Sequence, residues 1–451
     1  MGLTAAEARR KLVHMAVGGL ALLYRWMTWP EAALMAIAAF FFNWQVLPRV
    51  GGRGLWRPVD HGRGFPPGIL LYPLAVLALV LVFHDELWKA AAMWGILALG
   101  DGMAALVGLA AGGPRLPWNP GKSWAGLAAF VVFGTIAASV LAAWTLRLPA
   151  AVWASPRILA LTLPLAVFCA LVESLPTTLD DNLTVPLAGA AALALLSEAD
   201  PPRLLEDPDL PRRLLVGAGV SGVLAAAARA AAALDTPGAV AALLIGTAIT
   251  AGLGAAGLLT MVAFFVVGTA ATRFGHARKA GRGIAQEKGG ERGWRNAWAN
   301  GAVPAVLALG AAMAPPDTRT AWAIAYAAAV ATACADTASS EVGKAFGGRT
   351  FLLPTLRAVP PGTEGGVSLA GTLGGAVAAA LVAATAAAGG LYAWAFVPVV
   401  TGSAVVGALA ESLVGPTALR RRWMDQDGLN TFNTAFGAGT AAALCRVIGG
   451  V

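Results

Sequence analysis

The sequence predicts an all-α fold, a polytopic helical membrane protein of about 14 or 15 transmembrane helices in two distantly repeated halves. Three observations carry that prediction. Apolar runs of about 17–25 residues, enough to cross a bilayer as helices, recur along almost the whole chain. Of the 451 residues, 58% are hydrophobic and 12% charged, with a mean hydropathy of +0.69; the charged share is about half that of a soluble domain. Near the middle, Ser197 to Arg213 reads SEADPPRLLEDPDLPRR, a break rich in Pro and charge with similar polar signatures on either side.

The elements follow in order. Arg9, Arg10 and Lys11 lead into an apolar run at 13–29 with no small-residue cleavage site before Tyr24, so this run reads as a retained helix and not a removed signal. Runs at 31–48, 67–84, 88–110, 124–146, 151–172 and 183–198 complete the first half. After the break come 214–234, 238–252, 254–273, 297–314, 319–345, 366–389, 391–414 and 429–448, with the short pair around Gly252 the least regular. The expected organisation is a membrane domain over 1–200, a polar linker over 201–213 and a second membrane domain over 214–451. Trp26, Trp29, Trp88 and Trp153 flank spans, as an interfacial belt would. Counting spans places Arg49, Arg53, Arg57, Arg63, Arg115, Lys122, the basic loop from Arg273 to Arg295 (with Arg278, Lys279, Arg282, Lys288 and Arg292) and Arg420 to Arg422 on one face. The positive-inside bias makes that face cytoplasmic, which predicts a bacterial inner-membrane protein with its sites facing the cytoplasm. These loops account for the net charge of +8 without nucleic acid as a partner. Cys169, Cys334 and Cys445 are isolated in apolar runs, so neither a zinc site nor a disulfide framework is indicated.

The two halves echo each other. The first has Asp101-x-x-Ala-Ala-x-x-Gly108, Ser123-x-x-Gly126, Glu173-Ser174-Leu175 and Asp181-Asn182. The second has Asp336-x-x-Ser-Ser-x-x-Gly343, Ser368-x-x-Gly371, Glu411-Ser412-Leu413 and then Asn430 and Asn433. Four pairs in one order favour a distant duplication.

These positions carry the candidate chemistry. Glu7, Arg10, Lys11 and His14 share one helix face, as an interfacial anchor or as a cationic stripe for phosphate. Asp101 and Asp336 lie inside apolar runs, where a carboxylate is costly and usually faces a polar cavity. With Glu173, Asp181 and Glu341 they form the expected catalytic and metal-ligating set, a donor type that suits Mg²⁺. Asn182 follows Asp181 in ESLPTTLDDNLTVP. Gly121-Lys122-Ser123 matches the tail of a phosphate-binding loop, but Leu116 stands where its first Gly belongs and no buried strand precedes it. VPPGTEGGVSLAGTLGG, with Gly362, Thr363, Gly366 and Ser368, is a Gly-rich turn entering a helix, which either cradles phosphate or packs tightly. Arg295 and Asn300 end the basic loop and bring a cation near this region.

EARRKLVHMAVG, FFNWQVLPR, ALGDGMAALVG, GKSWAG and ESLPTTLDDNLTVPLAG, over residues 5–200, resemble the phytol kinase and dolichol kinase family. That resemblance implies phosphate transfer from CTP, or UTP or ATP, to a long isoprenoid alcohol. It implies nucleotide and metal roles for Asp101, Lys122, Ser123, Glu173, Asp181 and Asn182, and brings Asn43 of FFNWQVLPR among the nucleotide contacts. LDTPGAVAALLIG, GWRNAWANG, ADTASSEVG, ESLVG and LNTFN, over residues 210–450, resemble the membrane family that contains phytyl-phosphate kinase, and bring in Glu411, Ser412, Asn430 and Asn433. Glu411 stands where an Asp is common, and Arg295-Asn296-Ala297-Trp298 where a Gln is common. Together the resemblances imply a bifunctional kinase that takes an isoprenoid alcohol to its monophosphate and then its diphosphate at the bilayer surface. The rival readings are a cytidylyltransferase that makes a CDP-lipid and a secondary transporter with internal repeats.

Overall fold

The computed structural model describes residues 4–56, 60–61, 65–175, 179–281, 292–421 and 423–448. Arg57, Arg63, Arg282, Lys288 and Arg422, counted above for orientation, lie outside the described residues, as do the side chains of Arg53 and His276. Each apolar run read from the sequence falls on a helix. Among the described residues, eight helices are long and apolar enough to cross a membrane by length and composition. The remaining runs are helical but shorter or less apolar, so this all-α polytopic membrane protein has fewer full-length spans than the sequence count suggested. The pair of runs around Gly252 falls where expected: Thr236–Arg273 is two helical stretches that meet at a break at Gly254, whose φ of 64° and ψ of −155° suit only glycine. The chain divides into two compact units, residues 1–197 and 198–451.

In the first unit the Asp101 helix, Leu87–Ala111, is the most enclosed element. It packs beside Trp124–Thr145, and Met93, Ile96, Leu97, Phe130 and Leu165 fill the core. Its middle, Ile96–Gly100, widens to a π turn immediately before Asp101. A second π turn, Phe42–Val46, carries Asn43. Such turns disturb helical bonding and recur at functional sites. After the Asp101 helix, Arg115–Leu116 (β1) and Asn119–Ser123 (β2) form a small antiparallel hairpin that leads into Trp124–Thr145. Helix faces turned away from the core expose Val132, Leu163 and Phe168, which suits a lipid surround.

In the second unit the Asp336 helix, Arg319–Phe346, is central, with every residue from Trp322 to Ala335 buried. Its alanines let Leu369–Ala388, Val397–Arg420 and Gln426–Ile448 pack closely around it. Three short strands follow it: Thr350–Leu352 (β3), Arg357–Val359 (β4) and Gly366–Ser368 (β5), in the order β4-β3-β5 and antiparallel throughout. The turn from β4 to β5 needs left-handed backbone at Gly362 and Gly365, with φ of 91° and 72°.

The sequence echo has a geometric counterpart inside each unit. Ser123 ends β2 and caps the next helix by accepting from Gly126 N at 3.2 Å; Ser368 ends β5 and accepts from Gly371 N at 3.2 Å. A Cβ on Gly126 would come within 2.9 Å of Ala104 O and 3.4 Å of Gly108 Cα. On Gly371 it would come within 2.6 Å of Ser339 O and 3.3 Å of Gly343 Cα. Ala104 and Ser339 each lie three residues after their Asp, and Gly108 and Gly343 seven. The same glycines thus allow the same close helix crossing beside each intramembrane Asp.

Candidate functional site

The first unit gathers charge from five elements: the helices that carry Lys11, Asp101, Glu173 and Asp181, and the hairpin that carries Lys122. The helix Ala5–Gly18 brings Lys11 and His14 on one face. Lys11 Nζ lies 2.6 Å from Asp101 Oδ2, and His14 Nε2 lies 3.5 Å from the same oxygen and 3.0 Å from Leu97 O in the π turn. The hairpin brings Lys122, which bonds Glu173 and lies 3.4 Å from Asp181 Oδ2. Burial works against the Lys122 ammonium, but Glu173 and then Asp181 outweigh it and hold its pKa above the ordinary lysine value. One oxygen each of Asp101, Glu173 and Asp181 lie within 4.8 Å of one another, the only such acidic or His/Cys cluster among the described residues. Three hard oxygen donors at this spacing fit a divalent cation such as Mg²⁺. Asp101 and Glu173 are buried, whereas the Asp181 side chain is 36% exposed and forms the rim.

Three expected contacts serve the scaffold instead. The Ser123 hydroxyl is spent on its helix cap. Asn182 Nδ2 donates to Gly68 O at 3.2 Å and Asn43 Nδ2 to Ile69 O at 3.1 Å, so both amides secure the first turn of Pro67–Val82. Trp118 and Asn119 in turn bond Ser174, which ties the hairpin to the end of the Glu173 helix.

The second unit encloses a cavity of about 780 Å³. Asp336, Glu341, Asn300, Gly362, Thr363, Gly366, Ser368, Glu411, Ser412 and Asn430, all expected from the sequence, line it. The Asp336 and Glu411 carboxyls are within hydrogen-bonding reach of each other. Gln426 donates to Glu411 at 3.2 Å and Asn433, wholly buried behind it, donates to its other oxygen. Two carboxyls this close hold both negative charges only around a cation, so they too suit a divalent ion.

Two expected residues of this unit are engaged by other side chains. Glu341, expected as a metal ligand, is bonded by the fully buried Lys279 and lies 3.3 Å from Lys344 Nζ. Arg295, expected as the cation of the site, is 59% exposed and paired with Asp425 and Asp427 away from the cavity lining. The cations that line the cavity are Arg292 and Lys344, and Arg292 is the one from the basic loop. One cation among many in a basic loop, it carried no distinguishing sequence signal. What singles it out is backbone pairing: Arg292 N donates to Ala233 O at 3.0 Å and Arg292 O accepts from Asp235 N at 3.1 Å.

The fold and sites define an integral membrane protein with paired acid–cation centres set in helical bundles. Residues 219–438 match the family described as integral membrane protein DUF92. The chain is 38% identical over 201 residues to the membrane protein sll0875 of Synechocystis sp., covering 44% of this chain and 78% of that one. It is 32% identical over 225 residues to the chloroplastic protein VTE6 of Arabidopsis thaliana, covering 48% of this chain and 66% of that one. It is 30% identical over 207 residues to the chloroplastic phytol kinase 1 of Arabidopsis thaliana, covering 41% of this chain and 65% of that one. The chain therefore spans about two thirds of the length of those two plant relatives, and no solved structure matches it. The chain belongs to the DUF92 family of integral membrane proteins.

Proposed function

We propose that the chain is a membrane phosphotransferase that diphosphorylates a long isoprenoid in two steps. The first unit converts an alcohol such as phytol or geranylgeraniol to its monophosphate, and the second converts the monophosphate to the diphosphate. CTP, or UTP or ATP, is the donor. The observation that carries this reading is the repeated construction: in each unit an Asp helix, a Ser-capped strand and a Glu helix converge on a polar centre that also holds cations. Relatives named phytol kinase support the substrate class, and each relative described above covers less than half of this chain, as a two-part protein would require.

In the first unit Asp101, Glu173 and Asp181 would hold the divalent ion, which when bound supplies charge neutralisation at the donor phosphates. Lys11 and Lys122 then face the transferring phosphoryl group, where fixed cations stabilise developing charge without reorganisation. The substrate hydroxyl oxygen attacks the γ-phosphorus, the bond to the bridging oxygen breaks, and nucleoside diphosphate leaves. Asp181, the accessible carboxylate of the three, takes the hydroxyl proton. In the second unit the attacking group is a phosphate oxygen, which brings no proton of that kind, and Asp336 and Glu411 fill the metal-holding role.

Purified chain incubated with geranylgeraniol and γ-labelled CTP, UTP or ATP tests this. We expect labelled monophosphate first and diphosphate later, resolved by mass spectrometry. Transfer of the nucleotide itself to the lipid would instead make the chain a cytidylyltransferase, and no transfer at all would leave the transporter reading.

A further inference from the structure

We propose that Arg292 and Lys344 form a subsite in the second unit for the phosphomonoester group of the acceptor. This deepens the kinase reading and, for the choice of acceptor, rests on it. The first observation is a cation without a close ion pair among the described residues. The Arg292 guanidinium lines the cavity, with the Phe264 ring 5.7 Å from it on one side and Gly268 close to its Nη2. Among the described residues its guanidinium makes no hydrogen bond or close ion pair, and the Glu341 carboxylate, which acts on it from a distance, is already bonded by Lys279. Burial pushes its pKa below the ordinary arginine value, although a guanidinium stays charged at any physiological pH. A fixed, largely desolvated cation open to a cavity calls for an anion, and its planar fork matches phosphate oxygens. Its backbone is pinned by the pairing with Leu234, so the side chain starts from a set position.

The second observation comes from comparing the units. Lys344 lines the same cavity, eight residues after Asp336. Eight residues after Asp101 the first unit has Leu109. Lys344, like Lys11 and Lys122 of the first unit, lies beside a carboxylate, here Glu341 at 3.3 Å, so what distinguishes it is its position and not the lack of a partner. Both units need cations for the donor nucleotide, so nucleotide binding does not explain a cation confined to one of them. Under the proposed reading the acceptors differ by one phosphate: a neutral alcohol in the first unit, a phosphomonoester in the second. The additional cations lie where that additional charge must be met.

The test is equilibrium binding to the full chain in detergent, which needs no turnover. The probes are geranylgeranyl monophosphate, geranylgeraniol, CTP and inorganic phosphate. Arg292→Ala should weaken binding of the monophosphate about tenfold or more, and Lys344→Leu, which imports the first unit's residue, several-fold. Affinities for CTP and geranylgeraniol should stay within about twofold. Arg292→Lys keeps a cation on the same pinned backbone and should recover part of the preference for monophosphate over alcohol. Unchanged monophosphate binding in Arg292→Ala overturns the proposal. So does a loss that falls as heavily on CTP, a lysine variant no better than alanine, or an effect reproduced in full by inorganic phosphate, which would mark a free-anion site. If the wild-type chain binds the monophosphate through Arg292 yet makes no diphosphate with any nucleotide, the kinase reading fails and the subsite stands.

Discussion

The two units use one construction for two electrostatic designs. In the first, the acids and cations answer one another: Lys11 faces Asp101, and Lys122 faces Glu173 and Asp181. In the second, like groups are brought together, Asp336 against Glu411, while Arg292 opens to the cavity. A neutralised cluster is close to self-sufficient. A cavity with two carboxyls grouped and one guanidinium outside any close ion pair among the described residues depends on what enters it. The shared scaffold of Asp helix, Ser cap and close Gly crossing sets where the groups stand, and the residues added around it set what they accept.

The largest expected effect separates catalysis from stability. Asp101→Asn should abolish the first step and Asp336→Asn the second, each by at least about a hundredfold and each leaving the other step running. The stabilities should diverge. Asp101→Asn removes the buried counter-charge of the half-buried Lys11 ammonium, and breaking a fully buried pair costs about 3–5 kcal/mol, which is the upper bound here. Asp336→Asn replaces a carboxyl facing Glu411 with an amide that can donate to it, so the second unit should unfold no earlier, or later. Thermal unfolding of the two variants in detergent, beside stepwise product assays, checks both claims. Equal destabilisation would mean that the charge contrast between the units is not what distinguishes them.

A middle-sized effect probes the shared crossing. Gly126→Ala drives a Cβ to 2.9 Å from Ala104 O and Gly371→Ala to 2.6 Å from Ser339 O. Neither backbone oxygen has room to retreat in a packed helix pair, so overpacking should cost about 1–3 kcal/mol in each. The tighter contact predicts the larger loss for Gly371→Ala, measured as the drop in unfolding temperature.

How much of this was legible beforehand follows from what sequence order encodes. Asp101 and Asp336 stood out because a carboxylate in an apolar run is costly enough to demand a reason, and their helices lie where the hydropathy put them. The Gly-rich stretch ahead of Leu369–Ala388 was legible as a turn because left-handed backbone at Gly362 and Gly365 leaves few other residues to choose from. Pairing across the chain was not legible. The bond from Lys279 to Glu341, 62 residues apart, left no sign in the sequence around either residue. Arg295 and Arg292 carry the same charge three residues apart, and only the placement of Asp425 and Asp427 beside Arg295 assigns one to the surface and the other to the cavity. The break at Gly254 was legible to within a residue, because the apolar run of 238–273 is too long for one span and the sequence divides it at 252–254.

The smallest effect bears on the Gly-Lys-Ser stretch itself. As a remnant of a phosphate-binding loop, Ser123 would give its hydroxyl to a nucleotide–metal complex. In the fold that hydroxyl accepts from Gly126 N, in a residue 4% exposed, and Ser368 does the same for Gly371 N in a residue 7% exposed. Ser123→Ala and Ser368→Ala should therefore behave alike: each should cost about 1 kcal/mol of stability, the usual loss for a helix cap. Neither should change the nucleotide KM of its own step by more than about twofold when assayed well below the unfolding temperature. Lys122→Met should part from this pattern, because its ammonium meets Glu173 and Asp181 and is placed to face phosphate. If Ser123→Ala raises the nucleotide KM while Ser368→Ala leaves its step untouched, the serines are not equivalent, and the repeat ends at the backbone.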